Sequence, residues 1–379
     1  MSRTIVHLDL DTFFVSVERL MNSKLEDKPL IIGGTGDRGV VSSCSYEARV
    51  YGVHAGMPMR MARQLCGDAV YIRGDMDQYT KYSRLVTDII ADSAPVYEKA
   101  SIDEHYLDIT GMDRFFGSMK WSQELRQKII SESGLPISFG MSVNKTVAKI
   151  ATGEAKPAGE LHVDDTNVHN FLDPLSIKKI PMLGKVASQK LQRMGVDKIL
   201  TLRQMPVEML QNVMGKNGVS LWKKANGLDS TPVFQYSERK SISAERTFQQ
   251  DSIDVKRLNE LIVGMAEKLA YSLRKKRKLC SVITVKIRYS NFDTYTMQKR
   301  ISYTSFDHVI MEVAKELFVK LYTRRMLVRL IGVKLSGLIE GVQQLDLFND
   351  AEEMVNLYKA MDNIRNKYGS KAVRRGIAY

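Results

Sequence analysis

Val96-Tyr-Glu-Lys-Ala-Ser-Ile-Asp-Glu-His-Tyr-Leu-Asp-Ile109 is the stretch whose reading decides the fold. Two short apolar runs, 96–102 and 105–109, flank the acidic pair Asp103-Glu104, which predicts a hairpin with acids at or near its tip. A matching acid stands near the start of the chain. In residues 4–10, Val6, Leu8 and Leu10 alternate with Ile5, His7 and Asp9, and period two predicts a strand with Asp9 and Asp11 near its end on a common side. Buried without partners, such acids cost several kcal/mol each, so a cation is expected beside them. Solvent-facing strand ends are the plainer reading of the same pattern. The functional one is a carboxylate cluster for Mg²⁺, a hard cation that completes its shell with water and phosphate. Two such ions roughly 4 Å apart could activate an attacking hydroxyl and stabilise a leaving pyrophosphate.

Around these acids the pattern continues as α+β. A strand at 29–33 ends at Gly-Gly-Thr-Gly and leads into a second at 40–45; a helix starts at Tyr46 and breaks at Gly52. Residues 136–143 read as a strand, followed by an Ala/Lys helix at 145–154 that stops before Lys156-Pro157. The order predicts a sheet covered on one face. Residues 165–232 are almost entirely helical in pattern. Within them Ile180-Pro-Met-Leu-Gly-Lys-Val-Ala187 is a turn opening a helix that Met194-Gly195-Val196 closes. This resembles a helix-hairpin-helix, whose helix N-terminal amides hold DNA phosphate, with Gly184 and Lys185 at that position. The usual motif has two glycines and this one has only Gly184, so DNA contact and a plain helical turn both stand.

Residues 241–335 alternate as strand 241–248, helix 255–274, strands 281–289 and 294–303, helix 306–323 and strand 327–335, a split βαβ arrangement. Ile283, Val285 and Ile287 face a core; Thr284, Lys286 and Arg288 face out, with Thr296, Gln298 and Arg300 as the matching outward set. From 241 to 338 there are 19 Lys/Arg against 9 Asp/Glu, most of the chain's net charge of +13. A basic sheet face of this kind fits a nucleic-acid backbone, with Lys286, Arg288 and Arg300 as its candidate phosphate contacts and Arg246 as a further candidate DNA contact.

At 379 residues, two to four domains are expected. A hydrophobic fraction of 44% and a charged fraction of 26% are those of a globular protein, and a pI near 9.4 points to a polyanionic partner. Cys44, Cys66 and Cys280 are scattered, which argues against a disulfide framework or a thiolate zinc site. No stretch approaches ~20 apolar residues, the start shows no signal peptide, and no membrane association and a cytoplasmic location are expected.

Taken together, the motifs resemble the Y-family DNA polymerases, and within them the bacterial DNA polymerase IV branch. They are His7-Leu-Asp-Leu-Asp-Thr-Phe-Phe-Val-Ser-Val-Glu18, Ser43-Cys-Ser-Tyr-Glu-Ala-Arg49 with Gly52-Val-His-Ala-Gly-Met-Pro58, Ser101-Ile-Asp-Glu-His-Tyr-Leu-Asp108, Ala155-Lys-Pro-Ala-Gly159 and Glu245-Arg-Thr-Phe248. They occur in family order over residues 4–340. The resemblance implies a multidomain right hand: palm at 1–12 and 75–163, fingers at 13–74, helical thumb at 164–232, linker at 233–240 and a βαββαβ little finger at 241–340. It implies that Asp9 and Asp103 bind both Mg²⁺ ions with the Leu10 carbonyl, and that Glu104 binds the ion near the primer 3′-hydroxyl. Phe14 corresponds to a steric gate against ribose, and Phe13, Phe14, Ser43, Tyr46, Arg49 and Lys156 to the site for the incoming triphosphate. Three departures stand out. His105 stands where many relatives have alanine, Cys44 and Ser45 replace the more usual residues near the template base, and Met182-Leu183 alters the hairpin.

Gln344-Leu-Asp-Leu-Phe348 resembles the pentapeptide that bacterial replication proteins insert into the sliding clamp, with Gln344, Leu345, Leu347 and Phe348 as contacts; local packing is the plainer reading. Residues 341–379 thus carry a clamp motif and a tail, with 349–379 an amphipathic helix with a basic end. The expected function is low-fidelity translesion synthesis without proofreading by a monomer acting on primer-template DNA and deoxynucleoside triphosphates. A non-catalytic accessory that binds DNA and clamp could dispense with the acids. A cyclase-like enzyme would not need the basic module, the hairpin or the pentapeptide.

Overall fold

The computed structural model describes residues 3–112, 117–235, 238–341, 351–369, 372–373 and 376. Contacts divide the chain into Met1–Ser237 and Glu238–Tyr379.

The first unit is built on a five-stranded sheet in the order Tyr97–Lys99, Glu104–Asp108, Ile5–Leu10, Ile137–Ser142 and Glu160–His162. Only the last pairing is parallel. The alternation along Ile5–Leu10 is realised in both directions. Val6, Leu8 and Leu10 join Leu107, Phe139 and Met141 in a core against the helices Met76–Ser93 and Ser118–Ser133. Ile5 and His7 face the helix Lys145–Ala155, where Ile5 packs with Ala148 and Tyr106. The sheet is therefore covered on both faces, and the expectation of one covered face is corrected. His7 is the reason the pattern misled: it is only 1% exposed, and its Nδ1 meets Thr152 Oγ1 at 2.8 Å, so a polar residue here marks buried contact and not solvent. Gly140 lets the helix lie this close. A Cβ at that position would come within 2.3 Å of the Ala148 carbonyl oxygen and 2.4 Å of the Thr152 nitrogen.

Two further clusters complete the unit. A three-stranded sheet, Val41–Cys44, Leu30–Gly33 and Val70–Ile72, packs Ile31, Val41 and Cys44 against Ala48, Met59 and Ala62. Short helices from Val168–Leu172 to Lys216–Ala225 gather Leu191, Ile199, Leu202, Leu210 and Leu221 with Val147 and Ile150.

In the second unit the strands run in the order Thr294–Thr304, Lys278–Tyr289, Val328–Ser336, Ser241–Ser252, all antiparallel. Each long helix, Val255–Lys275 and Asp307–Leu321, joins two parallel strands that have a third between them, so the split βαβ reading holds. Both helices cover one face, with Ile283, Val285 and Ile287 fully buried beneath them.

A last helix, Ala351–Tyr368, docks on this unit through buried charge. Arg274 bonds Asp307 at 2.5 Å and Asp362 at 2.7 Å and lies over the Tyr358 ring, while Arg365 pairs with Glu267. Asp307 is fully buried, so removing the guanidinium takes a charge-paired hydrogen bond out of the interior. Arg274→Ala should destabilise the unit by about 3–5 kcal/mol. A thermal melt of the variant checks this, and an unchanged midpoint would show that the network contributes nothing.

Candidate active site

Strand register brings the acids together. Asp9 sits opposite Glu104 on one side and Ser138 on the other, and the Leu10 amide donates to the Asp103 carbonyl at 3.1 Å. Asp103 lies in the hairpin loop and Glu104 opens the next strand. Ser101 organises that loop: its hydroxyl donates to Asp103 Oδ1 at 2.5 Å and accepts from the Asp103 and Glu104 amides at 3.2 and 3.0 Å.

Each acid already has a cationic or hydrogen-bonding partner. Lys149 Nζ reaches both oxygens of Glu104, at 2.7 and 2.5 Å, and Lys156 Nζ pairs with Asp9 and lies 3.4 Å from Asp11 Oδ1. Both lysines follow from the helix Lys145–Ala155. Asn144 caps it by accepting from the Val147 amide at 3.0 Å, and it ends at Lys156. Burial lifts Asp9 to about 6, against the pull of Lys156. The neighbouring His7 ring and then Lys149 hold Glu104 down to about 2, against burial. Burial alone would lower Lys156, but Asp9 and Asp11 raise it.

As they stand, no three acidic, histidine or cysteine side chains among the described residues converge closely enough to hold a metal ion. The donor set nevertheless suits a hard cation, because ammonium groups stand on Asp9 and Glu104 where an oxygen-seeking ion would bind. Asp11 is different. It is 2% exposed and its Oδ2 accepts from Ser138 Oγ at 2.8 Å and the Ala158 amide at 2.7 Å, so it braces the loop after Lys156.

Beside the acids, Tyr46 opens the short helix Tyr46–Val50, and the exposed Arg49 guanidinium lies 4.8 Å from its ring centroid. The Tyr46 hydroxyl is buried with no hydrogen-bond partner among the described residues. Burial, and then the charge of Asp11, raise its phenol. Ser43 is half-buried on the preceding strand. The Phe13 ring is 3% exposed in the sheet core, so what it can offer a nucleotide is backbone, whereas Phe14 is half-buried and stacked on Tyr79. The turn feeding their helix is strained, with Thr12 at φ 43°.

Two departures are corrected by position. Cys44 and Ser45 are 1% and 0% exposed; Cys44 belongs to the small sheet's core, while the Ser45 hydroxyl accepts from the Leu30 amide at 3.1 Å. Neither side chain is open to solvent. His105, adjacent to Glu104, points to the opposite face of the sheet, where its Nε2 meets Thr87 Oγ1 at 3.0 Å. Burial, followed by Lys99, brings it down to about 3, so it is a neutral core group.

Gly184 and Lys185 are exposed at the start of the helix Lys185–Arg193. Met182 takes φ +72° with its side chain 93% exposed, supplying the left-handed turn that a glycine would adopt without strain. In the second unit Lys286, Arg288 and Arg300 share the open sheet face, but Arg246 does not. It falls in phase with Ile242, Ala244 and Phe248 on the helix side, in a hollow with Asp254 and Arg257. Its neighbour Glu245 takes the open face, lying over Gly332 to bond Lys286 at 3.1 Å. Gln344, Leu345, Leu347 and Phe348 lie outside the described residues.

Residues 8–153 match the model of the impB/mucB/samB family, and residues 239–347 match its C-terminal domain. The chain is 37% identical over 381 residues to DNA polymerase IV of Dehalococcoides mccartyi (strain CBDB1), covering 100% of this chain and 98% of that protein. It is 35% identical over 340 residues to DNA polymerase IV of Listeria monocytogenes serovar 1/2a, covering 89% and 96%. Among solved structures, a Y-family DNA polymerase chimera of Dbh and Dpo4 superposes with a TM-score of 0.77 at 28% identity, over 89% of this chain and 100% of that one. The insertion ternary complex of Dbh DNA polymerase gives a TM-score of 0.64 at 28% identity with the same coverage.

Proposed function

This chain belongs to the impB/mucB/samB family of Y-family DNA polymerases, and from that premise we infer that it extends a primer 3′ end on a DNA template, deoxynucleotide by deoxynucleotide, as a low-fidelity translesion enzyme without proofreading. The observation that supports the reading for this chain's own residues is the strand register that sets Asp9 opposite Glu104, with Asp103 in the adjoining hairpin loop, and with Lys156, Arg49 and a Tyr46 hydroxyl that has no hydrogen-bond partner among the described residues.

Asp9 and Asp103, with the Leu10 carbonyl, would hold two Mg²⁺ ions, and Glu104 would hold the one nearest the primer hydroxyl. When bound, the ions supply Lewis-acid stabilisation of the attacking and leaving oxygens. The chain's own groups do the rest. Lys156, released from Asp9, is free to turn to the triphosphate, with Arg49 and Tyr46 completing a cradle of donors. Lys149, bonded to both Glu104 oxygens, holds that carboxylate in place at the site. Phe14 blocks the space a ribose 2′-hydroxyl requires, and Ser43 and the Phe13 backbone line the nucleotide site. Gly184, Lys185, Lys286, Arg288 and Arg300 contact DNA phosphate, Lys286 after yielding its bond to Glu245. The similar Dbh DNA polymerase, solved as an insertion ternary complex, supports the same reading.

We assign the subdomains as palm (1–12 and 75–163), fingers (13–74), thumb (164–232), linker (233–240) and little finger (241–340), and a monomer in the cytoplasm. No described helix is long and apolar enough to cross a membrane. Extension of a primed template by the wild-type chain, on undamaged and lesion-bearing strands, tests the reading; DNA binding with no extension would favour a non-catalytic accessory. Gln344–Phe348 is assigned to the bacterial sliding clamp. Deleting 344–348 should abolish stimulation by the clamp and leave clamp-free synthesis within about twofold, since anchor residues carry most of such binding energy. Equal stimulation before and after deletion would remove the motif from the account.

A further inference from the structure

Phe14 does not stand alone on its helix. Phe14 and Glu18 are one turn apart on Phe13–Met21, so both face the same strip of the neighbouring helix Met76–Ser93, where Tyr79 lies. The Phe14 and Tyr79 rings stack with centroids 4.3 Å apart and planes at 13°. The Tyr79 hydroxyl donates to Glu18 Oε1 at 2.5 Å, across 61 residues of chain. Tyr79 is 1% exposed and Glu18 9%. Behind the ring, Gly74 is the only residue type that fits, because a Cβ there would come within 2.8 Å of the Tyr79 oxygen and 2.9 Å of a ring carbon. Phe14 on one face, Glu18 at the hydroxyl and Gly74 behind leave Tyr79 one position. Burial, reinforced by Glu18, also raises the Tyr79 phenol far above its ordinary range, so it stays a donor. A carboxylate this deep is costly to desolvate, and among the described residues its side chain makes a single hydrogen bond, the one that fixes this ring.

We propose that Glu18 is a positioning residue for sugar selection: by holding Tyr79 it fixes the surface on which the Phe14 ring rests, and so the gap left beside C2′ of the incoming nucleotide. The proposal rests on Phe14 being the sugar gate. A bond that merely ties two helices would affect every nucleotide alike. A bond that sets the gate changes the ratio between sugars.

The experiment measures single-turnover incorporation of matched deoxy- and ribonucleotides on a primed template by wild type, E18Q, E18A, Y79F and F14A. E18Q, whose amide oxygen still accepts from Tyr79, should keep the selectivity within about twofold. E18A and Y79F should lower it about tenfold, chiefly through faster ribonucleotide incorporation, with the deoxynucleotide changed by less than about threefold. If E18A and Y79F slow both nucleotides in proportion and leave the ratio unchanged, the role is structural and the proposal fails. Y79F removes only an oxygen, so it decides the matter even where E18A folds poorly. F14A separates the two claims. Ribonucleotides admitted by F14A but not by E18A or Y79F sink the Glu18 inference and spare the gate. F14A with unchanged selectivity sinks both.

Discussion

Asp103→Ala and Glu104→Ala should each slow primer extension by at least about 1,000-fold while leaving primer-template affinity within about twofold. The size follows from what each acid does. Charge develops on the attacking and leaving oxygens only in the transition state, so losing a group that holds a compensating cation costs rate far more than binding. Glu104→Ala also leaves the Lys149 ammonium without the carboxylate it is bonded to. Asp103→Ala removes the acceptor of the Ser101 hydroxyl but spares the two amide bonds that hold the loop, so the hairpin should stay folded. Asp108→Ala is the control. It lies on the same strand, pairs with Arg3 at 3.3 Å away from the site, and should extend primers at the wild-type rate within about twofold. Wild-type extension by Asp103→Ala or Glu104→Ala would remove that acid from the chemistry.

Phe14→Ala should lower the preference for deoxynucleotides over ribonucleotides by about 100-fold or more, seen as ribonucleotide incorporation that the wild-type chain does not support. The effect is steric. A half-buried ring stacked on an immobile Tyr79 has nowhere to retreat, so a 2′-hydroxyl meets a wall that alanine removes. Truncation of a packed aromatic also costs stability, on the order of 3 kcal/mol. A ratio of two nucleotides measured on the same preparation is independent of that loss. Unchanged sugar selectivity would dismiss Phe14 as the gate.

Much of this was legible in the sequence where local pattern and tertiary role coincide. The alternation of residues 4–10 placed Asp9 on the opposite face from Val6, Leu8 and Leu10, and the fold agrees. The βαββαβ order was readable because each element is long and strongly periodic. Contacts between distant segments were not. Lys149 read as one lysine in an Ala/Lys helix, and only the packing over Gly140 brings it to Glu104, 45 residues away. Ser101 and the pair Glu18–Tyr79 carried no local signal for the same reason. Arg246, a DNA-contact candidate from the motif Glu245-Arg-Thr-Phe248, shows what only the register reveals. Adjacent residues alternate faces, so Glu245 and not Arg246 joins Lys286 on the open side. His7 and His105 show that a polar residue in a strand is ambiguous until its partner, here Thr152 or Thr87, is known.

The central claim is that Asp9, Asp103 and Glu104 together hold two divalent ions. Counting bound Mn²⁺ by electron paramagnetic resonance, on the protein with a primer ending in a dideoxynucleotide, its template and the matched deoxynucleotide, measures this without turnover. Two ions per wild-type chain are expected, with fewer in Asp103→Ala and Glu104→Ala at the same free Mn²⁺. Two ions bound equally well by all three proteins would contradict the account.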